Sequence, residues 1–339
     1  MNKKIKLILS IIMLLSITQG TYAQVKLAQT GLKFLSIGGD ARAAAMADAV
    51  TSIEGNSAAI FYNPAGMARQ TALMDVTFAN TMWIADIKYI NASLSFAPSE
   101  GLYGVFGISL ASVDYGKFNK TIRISDSEGA DSYLDLGTYS PSALAIGLTY
   151  AKALSDKFSV GGNIKYAYQD LGDGQVVGYK ENGSYKEQNF DINVLAFDFG
   201  LLYHTGFKSL SFGMSLRNFS EEIRYVEENF QLPLTFKLGL SMNVLDFFSI
   251  DKHNHSLLFS IDAAHPRDYK EQIHIGGEYT FFDVFSIRAG YVTPTDEQGI
   301  NAGVGLKYPL GGINLGIDYA YLDFGIFDSV HRFTINVSY

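Results

Sequence analysis

From about residue 71 onward, apolar and polar side chains alternate with a period of two. Leu210, Phe212, Met214 and Leu216 are interleaved with Ser211, Gly213, Ser215 and Arg217. Leu234, Phe236, Leu238, Leu240 and Met242 are interleaved with Thr235, Lys237, Gly239 and Ser241, and the pattern recurs at Ile300–Tyr308 and Ile313–Tyr319. At 180° per residue, such a segment is a strand with one apolar face and one polar or glycine face. Fourteen segments can be traced, near 71–80, 87–97, 102–113, 141–152, 157–169, 194–204, 208–219, 234–245, 256–263, 271–280, 284–292, 300–308, 312–321 and 329–339. Most run 9–12 residues, the length of a tilted strand crossing a bilayer, against ~5–6 for a soluble sandwich strand. The pattern predicts an all-β membrane protein, a 14-stranded antiparallel transmembrane barrel.

The connections alternate in length as well. Residues 98–101, 154–156, 205–207, 281–283 and 309–311 are tight, whereas 115–140, 172–193, 220–233, 264–270 and 293–299 are longer and polar. Outer-membrane barrels have short periplasmic turns, longer outer loops and an even strand number, so both chain ends are expected on the periplasmic side. Residues 246–255 are the exception, a ten-residue connection where a turn is due. Tyr89, Tyr103, Tyr150, Tyr203, Tyr279, Tyr291, Tyr308 and Tyr321 fall near strand ends, where a tyrosine ring suits the membrane–water interface. The last segment, Phe333, Ile335, Val337 and Tyr339, ends on an aromatic residue and resembles the signal read by outer-membrane barrel assembly. Left unpaired, so apolar an edge would invite aggregation, and closure of the barrel removes it.

Residues 24–70 follow another pattern. The Ala-rich stretch 40–50 reads as a short helix with Asp40 as its cap, and Asn63-Pro64-Ala65-Gly66 is a turn signal just before the first strand. This part is too small for an independent domain and is read as a hatch, a small helical plug in the barrel mouth. The expected organisation is a signal peptide over 1–23, a hatch over 24–70 and a barrel over 71–339.

Composition narrows the choices. The 339 residues include 33 Gly and 45 Phe plus Tyr but no Cys, which removes disulfides, thiolate metal sites and a lipoprotein anchor. Lys3, Lys4 and Lys6, an apolar run over 7–17 and Thr21-Tyr22-Ala23 ahead of Gln24 form a secretory leader. Removing it leaves 23 basic against 34 acidic side chains, a balance that disfavours nucleic acid because phosphate affinity rests on Lys/Arg clusters. Beyond the leader no run approaches the ~18 apolar residues of a membrane helix. The expected location is the bacterial outer membrane, with lipid as the barrel's surroundings.

The residues from Phe34-Leu35-Ser36-Ile37 through Asp40-Ala41-Arg42-Ala43, Met46, Asp48, Ala49, Asn56-Ser57 and Phe61-Tyr62-Asn63-Pro64-Ala65-Gly66-Met67 resemble the amino-terminal signature of the PorV/PorQ family, within the wider group of FadL-like outer-membrane barrels. The resemblance implies a FadL-type barrel with an internal amino-terminal hatch. For PorV-type members it further implies a part in type IX protein secretion, receiving secreted cargo and partner proteins at the cell surface. The Asn-Pro-Ala-Gly step is shared with FadL fatty-acid transporters, which implies the alternative: a channel for uptake of a hydrophobic small molecule such as a fatty acid.

Side chains that could carry chemistry are few. His204, His253, His255, His265, His274 and His331 form no H-E-x-x-H, and no G-x-S-x-G elbow occurs. His253 and His255 beside Asp251, and the cluster Asp126, Glu128, Asp131 and Asp135, lack metal-site spacing and read as solvated loops. His265 and His274 have no matching nucleophile. The function is therefore expected to be non-enzymatic, with no metal and no cofactor. More informative are Lys165, Asp198, Arg217, Lys237, Asp262, His274, Glu278, Arg288, Lys307, Asp318 and Arg332, all in the inward phase. A charge facing the lumen avoids the ~2–4 kcal/mol cost of facing lipid at mid-membrane, and Arg42 and Asp48 of the hatch are its expected partners. Gly104 and Gly107 on the third strand could permit a kink and a lateral exit. Met82, Trp83 and Ile84 at the first outer loop form an apolar knob that could meet a partner or anchor in lipid.

Overall fold

The computed structural model describes residues 30–339 apart from 126–130, 180–184, 226–227, 249–253 and 297. The leader, residues 24–29, and Asp126, Glu128, Asp251 and His253 lie outside the described residues.

Fourteen strands form one closed antiparallel barrel. They are β1 (Met74–Met82), β2 (Lys88–Phe96), β3 (Val105–Asp114), β4 (Ser142–Ala153), β5 (Phe158–Asp170), β6 (Asp191–His204) and β7 (Ser211–Phe219). The second half comprises β8 (Thr235–Asn243), β9 (His255–Pro266), β10 (Gln272–Phe281), β11 (Phe285–Thr293), β12 (Ile300–Leu310), β13 (Ile313–Leu322) and β14 (Val330–Ser338). Each strand pairs with its neighbours in sequence, and β1 closes on β14 through Val76↔Val337 and Phe78↔Ile335. The aromatic carboxyl-terminal strand is thus no free edge, and Tyr339 exchanges backbone hydrogen bonds of 2.9 and 3.0 Å with Met74.

The two faces sort as the alternation requires. On β14, Phe333 and Ile335 point outward and are about half exposed, while Arg332 and Thr334 point inward and are buried. Seven of the eight strand-end tyrosines are exposed on the outer wall; the exception, Tyr89, is buried, because its phase on β2 matches Asn91 and Ser93 on the inner face. Among the described residues no helix is long and apolar enough to cross a membrane, and the strands supply the crossing.

The short connections and both barrel ends gather at one rim, the periplasmic end by the usual turn asymmetry. Between β12 and β13, Gly311 (φ 59°) and Gly312 (φ 97°) make a two-residue turn with both centres left-handed, which keeps Leu310 opposite Ile313. At the outer rim, three segments expected to be polar loops are two-stranded hairpins. They pair Phe118–Ser125 with Asp131–Tyr139, Gln175–Tyr179 with Tyr185–Gln188, and Ile223–Tyr225 with Glu228–Phe230. Each forms a two-stranded sheet separate from the barrel ladder, and the polarity of these stretches concealed their β structure.

Leu148, midway along β4, is 64% exposed on the outer wall. Leu148→Arg is expected to destabilise the barrel by about 2–4 kcal/mol in urea titrations from lipid vesicles, with Leu148→Ala costing far less. Equal effects of the two variants would mean that this face does not meet hydrocarbon.

Candidate functional site: the lumen and its amino-terminal segment

Residues 30–70 run through the barrel from the outer rim to the periplasmic rim. At the outer rim, Thr30 bridges Gln231, and the Gly31 amide donates to the Gln231 carbonyl at 3.2 Å. Asp268, beyond the end of β9, accepts from the Thr30 hydroxyl at 2.9 Å and is ion-paired with Lys33. Burial opposes the charge on Asp268, but Lys33 and Thr30 outweigh it and hold its carboxyl below the usual carboxylate range.

The helix α1 is Ala41–Ala45, shorter than the 40–50 stretch expected. Asp40 caps it as predicted, its carboxylate accepting from the Arg42 amide at 3.3 Å and the Ala43 amide at 3.2 Å. The helix stops because Ala47 (φ 54°) and Asp48 (φ 57°) turn left-handed. Ala41, Ala44 and Ala45 are buried against Ala320, Leu322 and Val330, where only a small side chain permits so close an approach.

The Asn63-Pro64-Ala65-Gly66 step forms a 3₁₀ turn over Pro64–Met67. Asn63 is buried and uses its whole amide: Oδ1 accepts from the Ala65 amide at 3.1 Å, and Nδ2 donates to the carbonyls of Thr51 at 2.7 Å and Leu201 at 3.0 Å. The barrel wall makes room for this turn. A Cβ at Gly161 would lie 2.5 Å from the Pro64 carbonyl carbon, and one at Gly200 would lie 1.9 Å from Asn63 Oδ1. These inward glycines were missed in the sequence, where their phase within β5 and β6 was the available signal.

Most of the inward charges form three groups, with Arg332 and Lys307 apart from them. Arg42 makes a two-pronged bond to Glu278 at 2.8 and 2.7 Å, Glu278 pairs with Arg288 at 2.5 Å, and Arg288 reaches Asp318 at 2.6 Å. Lys165 binds Asp198 at 2.8 Å and Asn218 at 2.6 Å, while Arg217 donates to the Leu35 carbonyl at 3.1 Å. Lys237 donates to the Asp48 carbonyl at 3.1 Å, His274 meets the Ala47 carbonyl at 2.7 Å, and Asp262 accepts from the Thr51 amide at 3.0 Å. Arg332 reaches Thr81 at 2.7 Å and the Asp40 carbonyl at 3.3 Å. Arg42 therefore meets the wall through its side chain as expected, whereas Asp48 does so through its backbone. Lys307 is exposed towards a cavity at the periplasmic rim.

Two sequence-based expectations are corrected. β3 pairs with β2 and β4 in unbroken register, so it has no kink. Gly104 (φ 87°) precedes the strand with the Tyr150 ring in its side-chain space, and Gly107 faces inward onto Ile60 and Met67. The barrel ladder is interrupted at β6–β7, where Arg217 and Asn218 (φ 61°) oppose Asp198 alone, a bulge. Trp83 is no exposed knob. It turns inward, half-buried, with ring centroids 5.8 Å from Tyr89 and 5.1 Å from Phe324. Met82 stays on the outer wall, 53% exposed, and Ile84 packs partly buried beside Trp83 on the cluster around α1. Of the other histidines, His265 pairs with Glu271 at 3.0 Å and His255 bonds the Tyr279 hydroxyl at 2.7 Å.

Near the outer rim the lumen is apolar along β2–β6, whereas Arg217, Lys237, His274 and Arg332 line it along β7, β8, β10 and β14. Leu32, Phe34 and Leu35 pack with Tyr89, Val113, Ile192, Val194 and Leu232 of the wall and outer connections. Beneath them, cavities beside Tyr62 and beside Phe61 each measure about 30 Å³, room for a water and no more. The periplasmic cavity, about 600 Å³, is lined by Arg42, Glu54, Arg69, Asp75, Lys307 and Asp318 among others.

These features define a class: a fourteen-stranded outer-membrane β-barrel with its own amino-terminal segment inside the lumen. No protein-family model matches the chain, and no curated protein matches it in sequence. Solved structures do share the fold. The Ralstonia pickettii toluene transporter TbuX aligns with a TM-score of 0.57 at 13% identity, over 89% of this chain and 98% of that one. The Pseudomonas putida toluene transporter TodX aligns at 0.56 and 13% identity, over 93% and 99%. A Pseudomonas aeruginosa FadL homologue aligns at 0.51 and 13%, over 94% and 99%. The FadL-like architecture implied by the amino-terminal motif is thereby shown; the narrower PorV/PorQ likeness has no counterpart among these matches.

Adjacent glycines test how the segment is seated. Gly161 faces it, whereas Gly162 faces outward with nothing closer than 3.8 Å to an added Cβ. Gly161→Val is expected to dislodge the Asn63 turn and produce fluctuating single-channel conductance, while Gly162→Val leaves conductance unchanged. Identical traces would refute this seating. Because the carboxyl of Asp268 titrates below its unfolded value, its hold on residues 30–36 is complete above about pH 4 and is lost on further acidification. Faster hydrogen exchange of those amides at low pH, reproduced at pH 7 by Asp268→Asn, is the expected result.

Proposed function

We propose that this protein is a non-enzymatic channel that takes up a hydrophobic small molecule, of the fatty-acid or hydrocarbon class, across the outer membrane, with residues 24–70 acting as its hatch. The observation that carries this reading is the apolar side of the outer lumen, along β2–β6, where Leu32, Phe34 and Leu35 fill a chamber walled by Val113, Ile192 and Val194. A water-filled pore needs a polar lumen, whereas an apolar chamber favours a solute that leaves water. The wall holds this segment through its backbone carbonyls and through side chains such as Lys33, Arg42, Ser57 and Gln70, the Arg42–Glu278 contact being an ion pair. Such a fastening can be shifted without unfolding the barrel. The toluene transporters that share the fold support the class of solute. An outlet into the membrane would open at the bulge of Arg217 and Asn218, beside Leu35, in place of β3.

The amino-terminal motif favours a second reading, in which the outer hairpins receive secreted cargo as PorV-type proteins do in type IX secretion. Tyr133, 75% exposed on one hairpin, would be a contact for such a partner.

The two are separated by uptake and by co-purification. In a porin-deficient outer membrane, cells carrying the protein are expected to accumulate labelled toluene or oleate several-fold faster than vector controls, and Arg42→Ala to raise the rate further. Uptake at the control rate, with a secreted protein recovered on the purified barrel, would replace the first reading with the second.

A further inference from the structure

On the outer wall, Phe106, Tyr150, Gly162 and Phe199 stand directly opposite one another across β3, β4, β5 and β6. Three positions carry rings and the fourth carries no side chain. The row above continues through Leu148 and Ile164. The gap over Gly162 opens an apolar groove of about 870 Å³. Its side is held upright, for the Tyr150 hydroxyl donates to the Tyr103 carbonyl at 2.9 Å and the Phe106 and Tyr150 rings pack at 5.2 Å.

We propose that this groove binds one phospholipid of the periplasmic leaflet, an acyl chain over Gly162 and the phosphate on Lys152. The groove lies on the face that meets hydrocarbon, in the half of the barrel nearer the tight turns. An unfilled groove there would forfeit dispersion contacts along its whole lining, and an acyl chain is the surrounding matter that fits. Lys152 is outward in phase, opposite Val160, one row closer to the periplasm than Gly162. That offset is about 7 Å along the strand, and a flexible lysine stem can carry its charge on to the headgroup level. Gly162 faces away from the lumen, and β3, β4, β5 and β6 pair there without a break, while Phe197 and Phe199 at the far side of the groove flank the β6–β7 bulge.

Native mass spectrometry of the full-length protein released from nanodiscs of phosphatidylethanolamine and phosphatidylglycerol tests this. One retained phospholipid is expected on the unaltered protein. Gly162→Phe, which fills the groove from the lipid side, should lower its occupancy about tenfold or more. Lys152→Glu should lower it too, most for phosphatidylglycerol. Heat-modified mobility on gels establishes that each variant is a folded barrel, and phospholipid retention is read with no transported solute present, which keeps this result independent of the channel reading. Equal phospholipid retention by folded Gly162→Phe and unaltered protein would overturn the proposal, as would retention that ignores the charge at position 152.

Discussion

Inside a bilayer no water can take up a peptide N–H or C=O, and each one left unpaired costs several kcal/mol. Every strand must therefore find a partner on both edges, and the pairing of β1 with β14 is where that condition is met for the sheet as a whole. The apolar outer face, the polar inner face and the gathering of both barrel ends at one rim follow from this closure. So does the composition. An outward row such as Val76, Phe78 and Ile335 is stable only in hydrocarbon, and an inward row such as Lys165, Glu278 and Arg288 only away from it.

Closure creates a second problem, an enclosed space lined by charges. Ion pairs within the wall, Lys165 with Asp198 and Arg288 with Asp318, satisfy part of it. The amino-terminal segment satisfies another part by presenting carbonyls, those of Leu35, Ala44, Ala47 and Asp48, to inward donors. A buried ion pair is weak evidence of net stability, because desolvation offsets its Coulomb gain, yet breaking one partner is costly. The Arg42–Glu278–Arg288 chain is best understood as fixing where the segment sits.

The lumen is divided around its circumference as well as along its axis. Near the outer rim β2–β6 present aliphatic and aromatic side chains, while β7, β8, β10 and β14 present Arg217, Lys237, His274 and Arg332, and the periplasmic end opens into a cavity lined by both signs of charge. The amino-terminal segment lies between these faces, and in the channel proposed above it is the element that must move to open a path along the apolar side.

How much of this could be read beforehand depends on the range of the interaction concerned. Alternation along β7, β8 or β12 is a local property of the chain, and strand number, barrel class and the inward phase of Lys237 or Arg332 were legible from it. The Asp40 cap and the Asn63 turn were legible for the same reason, each being settled within four residues. The early stop of α1 was not, because Ala47 and Asp48 turn against wall residues 227 and 189 positions away in sequence. Nor was the inward rotation of Trp83, which depends on Phe324. Many of the wall's bonds to the amino-terminal segment go to backbone atoms, which every residue carries alike and no sequence pattern marks. The chain alone thus determined which side chains face lipid, since that depends on parity along a strand; the fit of the amino-terminal segment to the wall was decided by the closed barrel, since only closure brings Gly161, Gly200 and Glu278 around one segment.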